Sequence, residues 1–381
     1  MQTITGEWLS NPRTQAVLAL LSDAGHQAFV VGGCVRNALL GVAVTDVDIT
    51  TDAHPERVIE LAQAAGIRAV PTGLDHGTIT LVLDGEGFEV TTMRRDVATH
   101  GRHATVAFSS DVTEDAARRD FTMNALYADA RGHVTDPLDG MADLRAQRVR
   151  FVGDALARIN EDYLRILRFF RFHAQYGDPA QGLDADALDA CARGAGGMGQ
   201  LSAERIGAEM RKLLAAPDPA PAVAAMAQCG ALAQVLPGAD PQALPRLVHL
   251  EAGIPPRWLR RLLVLGGPEG APDRLRLTRA ETRQLGQMRG AIATLQAAAE
   301  LGYRLGPEPG ADVILARAAL LESPLPPDWQ AELQRGGAAS FPVRAADLPH
   351  LQGPALGEQL KALETRWLAS GLTLTRKELL G

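Results

Sequence analysis

Over residues 12–24 apolar positions recur at helical spacing, with Val17, Leu18, Leu20 and Leu21 on one side. A β-rich run, Ala28-Phe29-Val30-Val31, follows and stops at Gly32-Gly33. Residues 35–40 then read as a helix closed by Gly41. From Asp46 onward, Asp-Val-Asp-Ile-Thr alternates with the period of two that marks a strand. Pro55 opens a predicted helix that runs to about residue 65. Further strands are predicted at 67–70, 78–83 and 88–93, the last two joined through Asp84-Gly85-Glu86-Gly87 as a hairpin.

The pattern changes after Asp136-Pro137. Residues 154–175, 185–193 and 202–215 carry helical periodicity, and Ala216-Pro217-Asp218-Pro219-Ala220-Pro221 is the clearest break. Beyond it the chain is Ala- and Leu-rich, punctuated by Pro255-Pro256, Gly266-Gly267-Pro268 and Pro324-Leu325-Pro326-Pro327. The expected architecture is α+β: a mixed sheet with helices over 1–140, then all-helical segments at 141–215 and 216–381.

At 381 residues, two or three domains are expected. No apolar run approaches the roughly 20 residues that cross a bilayer, so no membrane partner is expected. The first eleven residues lack a basic stretch leading into an apolar core, and the cysteines Cys34, Cys191 and Cys229 are widely spaced. Both point to a cytoplasmic setting with reduced thiols. The net charge of −7 excludes a uniformly basic nucleic-acid coat but leaves room for a local basic surface. Only three lysines occur, so nearly all positive charge is arginine, which suits phosphate recognition but also follows from a GC-rich coding bias. The sequence does not reveal the oligomeric state.

Four segments carry candidate chemistry. Gly32 and Gly33, between a strand and a helix, let backbone approach a ligand at a helix N-terminus, and Arg36 lies in the first turn beyond them. A Gly-Gly pair alone is ordinary punctuation. Ten residues further on, Asp46 and Asp48 sit at i and i+2 of the predicted strand, on one face, where paired carboxylates call for a hard cation such as Mg²⁺. A lone Asp-x-Asp is more often a solvated face. Glu89, between Phe88 and Val90, is a candidate third carboxylate for a two-metal site, or an exposed strand residue; Asp84, Glu86 and Asp96 fall in or beside turns. Arg118-Arg119-Asp120-Phe121-Thr122-Met123-Asn124-Ala125 offers a cation and an acid pointing apart. Finally, Asp162, Arg165, Arg168 and Arg171 recur every three residues over an apolar set of Ile159, Tyr163, Ile166, Leu167 and Phe170. An Asp and an Arg one turn apart can read a base edge, or can pair with each other for a few tenths of a kcal/mol.

Taken in order, these segments resemble the bacterial class II tRNA nucleotidyltransferases (CCA-adding enzymes) and poly(A) polymerases of the polymerase β-like superfamily. The likeness runs through residues 31–41, 46–51, 73–78, 88–94, 118–125, 136–144, 161–171 and 202–206, so it spans about half the chain. It implies a nucleotidyltransferase head at 1–140, a helical neck for base recognition at 141–215, and a tRNA-binding body and tail at 216–381. By resemblance, Gly33 and Arg36 contact the triphosphate, Asp46 and Asp48 bind Mg²⁺, and Arg119 and Asp120 engage the sugar and phosphates. Asp162 and Arg165 pair with the base of ATP or CTP, and Arg168 and Arg171 support the phosphates. Residues 96–110, with His100, Gly101 and His103, match the family's flexible loop. Asn37 departs from the family's usual Asp. The implied reaction adds CMP and AMP to a tRNA 3′ end; poly(A) addition, CC-only or A-only addition and a catalytically dead RNA-binding protein are the alternatives.

Overall fold

The computed structural model describes residues 2–100 and 103–381, without the side chains at 75, 96–100 and 103–106. Gly101 and the side chains of Asp96, His100 and His103 thus lie outside the described residues. The fold is mixed α+β. Two compact units are present: residues 1–201 with 228–234, and residues 202–227 with 235–381.

Among the described residues the first unit holds nine strands: β1 (Ala28–Val31), β2 (Asp48–Thr51), β3 (Arg68–Gly73), β4 (Thr78–Leu83), β5 (Glu86–Thr92), β6 (Arg94–His100), β7 (His103–Phe108), β8 (Tyr127–Ala128) and β9 (Val134–Thr135). Seven form one sheet in the order β3-β4-β5-β2-β1-β8-β9, and β6 with β7 makes a separate hairpin. β2 pairs parallel with β5 and antiparallel with β1, so the segments carrying Asp48 and Glu89 are neighbours at the sheet centre. Val30, Ile49, Ile79, Leu81, Phe88 and Val90 are buried from these strands, and helix Pro12–Ser22 adds Val17, Leu18 and Leu21. Each such side chain contributes about 1.5–3 kcal/mol by leaving water.

Several predicted boundaries shift. β2 begins at Asp48, so Asp46 stands in the irregular segment before the strand; Thr50 and Thr51 are both buried, which breaks the two-period pattern. The β4–β5 turn needs only Asp84 and Gly85, both with positive φ (50° and 83°), which frees Glu86 to begin β5. The segment predicted as one helix at 154–175 is two, Ala155–Glu161 and Leu164–Tyr176. Asp162 makes the break: its backbone is extended, and its carboxylate accepts from the Leu164 N–H at 3.1 Å, as a capping acid does.

The second unit is helical. Its largest fully buried side chains are Arg260 and Arg261, both about 1% exposed, on helix Trp258–Leu265. Arg260 meets Glu251 (2.6 Å) and Asp312 (3.2 Å), and Arg261 meets Glu251 (2.8 Å). Arg261 also donates to the carbonyls of Leu214, Ala216 and Pro217, which pins the break between helices Ala203–Leu214 and Ala220–Gln228. Among the described residues no helix is long and apolar enough to cross a membrane.

Candidate active site

At the end of β1 the chain turns through Gly32, with φ 74° and ψ −117°, a region that disfavours any side chain. A β-carbon there would lie 3.4 Å from an Arg119 guanidinium nitrogen and 3.6 Å from the Asn124 carbonyl. The turn therefore packs against the 118–125 segment, and helix Gly33–Leu40 starts directly after it.

Asp48 opens β2 and is register partner to Glu89 on β5; both are exposed at the sheet face. The surrounding protein, then Glu89, raise the Asp48 pKa; Arg119 opposes this and Asp46 adds to it. Asp46, also exposed, hydrogen-bonds Thr45 at 3.1 Å. Glu89 and Asp46 thus both act on Asp48, but among the described residues the three carboxylates form no ready-made metal cage. Oxygen-only donors that bring like charges to one place suit a hard divalent cation that completes its shell with other oxygens. Cys34, one position past the glycine pair, is buried against the same place: burial, then Asp48, push its thiol up to about 11.

Arg119 and Asp120 are held from opposite sides. Arg119 donates to Asp115 (2.9 Å) and the Tyr127 hydroxyl (3.0 Å). Asp115 is wholly buried and also pairs with Arg118; burial alone would raise its pKa, but the Arg119 and Arg118 guanidinium groups bring it down to about 2. Asp120 accepts from Arg168 (2.7 Å), Asn124 (3.0 Å) and its neighbour's N–H, which together outweigh burial and lower its pKa.

Arg36 does not project from the helix but is buried, 6% exposed. Its guanidinium donates to Asn37 Oδ1 through two nitrogens (3.1 and 2.8 Å), to Asn124 Oδ1 and to the Tyr176 hydroxyl (2.9 Å). These partners are all neutral, and burial first, with Arg171 next among the lowering influences, depresses its pKa despite help from Tyr176 and Asp120. Asn37 also donates to the Ala43 carbonyl (3.1 Å), a bond that an ionised Asp could not make.

Along helix Leu164–Tyr176, Arg165 bonds Glu161 and the carbonyls of Arg158 and Arg118, tying it to the preceding helix, while Arg171 donates to Gln175 (3.0 Å). Arg36, Arg168 and Arg171 all lie over the Phe172 ring. The structure therefore joins Gly32, Gly33, Arg36, Arg119, Asp120, Arg168 and Arg171 in one contact network; Asp162 and Arg165 sit at the helix break. Sequence reasoning gave Asn124 no role within the 118–125 segment and missed Asp115, Tyr127, Phe172 and Tyr176. Only the last two carried a signal, as aromatics four residues apart on a helix beside two arginines.

A profile of the poly A polymerase head domain matches residues 28–150, and one described as the probable RNA and SrmB-binding site of polymerase A matches residues 183–242. The mouse mitochondrial CCA tRNA nucleotidyltransferase 1 is 45% identical over 201 residues, 52% of this chain and 46% of that protein. The chain thus spans a little under half the length of the mitochondrial relatives it matches. The CCA-adding enzyme of Geobacillus thermodenitrificans is 34% identical over 347 residues, covering 86% of this chain and 82% of that enzyme. The crystal structure of the Bacillus stearothermophilus CCA-adding enzyme in complex with CTP superposes with a TM-score of 0.70 at 28% identity, over 96% of this chain and 94% of that one.

Proposed function

The chain belongs to the family of CCA-adding tRNA nucleotidyltransferases and poly(A) polymerases, and from that premise we propose that it adds CMP and AMP to the 3′ end of tRNA, releasing pyrophosphate. The observation that carries this reading is the meeting of Asp48 and Glu89 across β2–β5, with Arg119 both acting on Asp48 and bordering the glycine turn. In that arrangement carboxylates and guanidinium groups can hold opposite ends of a cation–triphosphate complex.

Asp46 and Asp48, with Glu89 alongside, would hold divalent metal, which we take to be Mg²⁺. Bound there, it supplies Lewis-acid activation of the RNA hydroxyl and charge neutralisation at the triphosphate. Gly32 and Gly33 admit the phosphates close to backbone N–H groups at a helix start. Arg36 sets positive charge beneath the turn, while Arg168 and Arg171 face the phosphates. Arg119, fixed by Asp115 and Tyr127, and Asp120, fixed by Arg168, orient the sugar. Asp162 and Arg165 supply the acceptor and donors that select cytosine or adenine. Positioning and charge stabilisation are the main contributions such residues make to phosphoryl chemistry. We assign catalysis to 1–140, base recognition to 141–215 and RNA holding to 216–381. The three free cysteines suit a cytoplasmic setting.

Purified protein given tRNA transcripts ending before CC, after C and after CC, with CTP and ATP supplied separately, tests the reading. CTP should serve the first two ends and ATP only the third. Long A tails on any RNA would replace the proposal with poly(A) addition. Asp48→Asn should lower incorporation by about 10²–10³-fold while the circular dichroism spectrum stays unchanged.

A further inference from the structure

We infer that Phe172 and Tyr176 are positioning residues for the nucleotide, forming an aromatic bracket that fixes where three guanidinium groups meet the triphosphate; the inference rests on the functional reading above. The two rings lie one turn apart on helix Leu164–Tyr176, with centroids 5.5 Å apart. Three guanidinium carbons gather over Phe172: Arg171 at 4.4 Å, Arg36 at 5.1 Å and Arg168 at 5.2 Å. Arg36 also lies 4.2 Å over Tyr176, whose hydroxyl accepts its hydrogen bond.

Like charges repel, so three guanidinium groups round one buried ring need attraction to stay, and the Asp120 carboxylate gives part of it to Arg168. The negative face of an aromatic ring supplies another part. Phe172 also packs on Phe121, with ring centroids 5.0 Å apart, which helps hold the ring still. Arg36 comes from a different element, the helix after the glycine turn, and a β-carbon at Gly33 would lie 3.7 Å from its terminal nitrogen. The bracket thus couples the phosphate-admitting turn to the helix that bears Arg168 and Arg171. Four of the five Arg36 donor directions point at neutral oxygens of the chain, so its place is set by Tyr176, Asn124 and Asn37 before any ligand arrives. Ordinary core packing of Phe172 would explain its burial but not the convergence of cations from two elements on its face.

Because the bracket acts on phosphate-facing charge and not on the base, its loss should weaken CTP, ATP and inorganic triphosphate alike. Phe172→Leu should raise the dissociation constant for each by about tenfold, and Tyr176→Phe, which keeps the ring but removes the acceptor, by about threefold. The loss should fall on KM and not on kcat, a split that general loosening of the core would not give. Titration calorimetry with inorganic triphosphate, CTP and ATP, well below each variant's melting temperature, reads the effect; if Phe172→Leu does not fold, Tyr176→Phe carries the test. Wild-type affinity for inorganic triphosphate in every folded variant would overturn the bracket, as would weakening confined to one nucleotide. A wild-type protein that binds triphosphate yet adds nothing to RNA would sink the functional reading and leave the bracket standing. Nucleotide addition by the wild type with unchanged binding in the variants would do the reverse.

Discussion

In the helical unit, Arg260 and Arg261 are about 1% exposed and are met by the Glu251 carboxylate, with Asp312 completing the set around Arg260. In the sheet-bearing unit, Arg36 is buried almost as deeply but makes no ion pair among the described residues; it donates to two amide oxygens and a phenol. Burying a guanidinium costs several kcal/mol, and the helical unit offsets that cost internally. Around Arg36 the offset is incomplete, and what would complete it is an anion. Internal charge balance suits a structural arginine; in the proposed reading, the charge of Arg36, set among neutral acceptors beside the glycine turn, is left for the triphosphate to balance.

The comparison breaks most visibly when Glu251 is removed. Glu251→Ala leaves Arg260 and Arg261 without their shared carboxylate and should destabilise the protein by about 3–5 kcal/mol in chemical denaturation. Arg36→Met should cost about 1 kcal/mol or less, because the lost hydrogen bonds are set against relief of an uncompensated charge. The same substitution should abolish the rise in melting temperature that saturating inorganic triphosphate gives the wild type, a rise worth about 2.7 kcal/mol at a hundred times the dissociation constant. Equal destabilisation by the two substitutions would erase the distinction between structural and ligand-facing arginines.

A titration sharpens it. Burial raises the Asp312 carboxyl from 3.8 to about 6, against the pull of Arg257 and Arg260 and with a push from Glu308. A carboxyl whose folded pKa lies above its unfolded one takes up a proton on folding between those values, so this group favours the fold increasingly as pH falls through 6 and adds nothing further below about 4. Asp312→Asn should therefore flatten the pH dependence of unfolding free energy between about pH 6 and 4. An unchanged slope would show that Arg257 and Arg260 keep Asp312 ionised throughout.

How much of this was legible in the sequence depends on distance along the chain. The glycine turn and the strands bearing Asp48 and Glu89 were local patterns, and they fold as such. That Asp48 and Glu89 would be register partners was not legible, because parallel pairing of β2 with β5 joins residues 41 apart through two intervening strands and a helix. The ridge from Asp162 to Arg171 was read as continuous because spacing every three residues is helical; the capping carboxylate of Asp162 overrode it. Arg36 was placed in the first turn, within reach of a phosphate; that it would be buried was not legible, because its acceptors on Asn124 and Tyr176 are 88 and 140 residues away. Arg260 and Arg261 stand in a run of leucines with no local sign of their acids, Glu251 and Asp312. Period reports which face is buried, whereas long-range partners decide what a charge does there.

The smallest expected effect bears most directly on why Arg36 is uncompensated. Asn37 stands where the resemblance leads one to expect Asp, and its Oδ1 accepts from Arg36 at 2.8 and 3.1 Å. Asn37→Asp would give Arg36 a carboxylate oxygen shared by two of its nitrogens, as Glu251 Oε2 gives Arg261, at the loss of the Asn37 bond to the Ala43 carbonyl. These terms nearly cancel, so the ligand-free protein should gain no more than about 1 kcal/mol at neutral pH. The gain should vanish as pH falls through the new carboxyl's lowered pKa. Affinity for inorganic triphosphate should fall by about two- to threefold, because the incoming anion no longer supplies the first counter-charge. Affinity that is unchanged while stability rises would mean that the Arg36 charge is felt within the fold and not at the phosphate site.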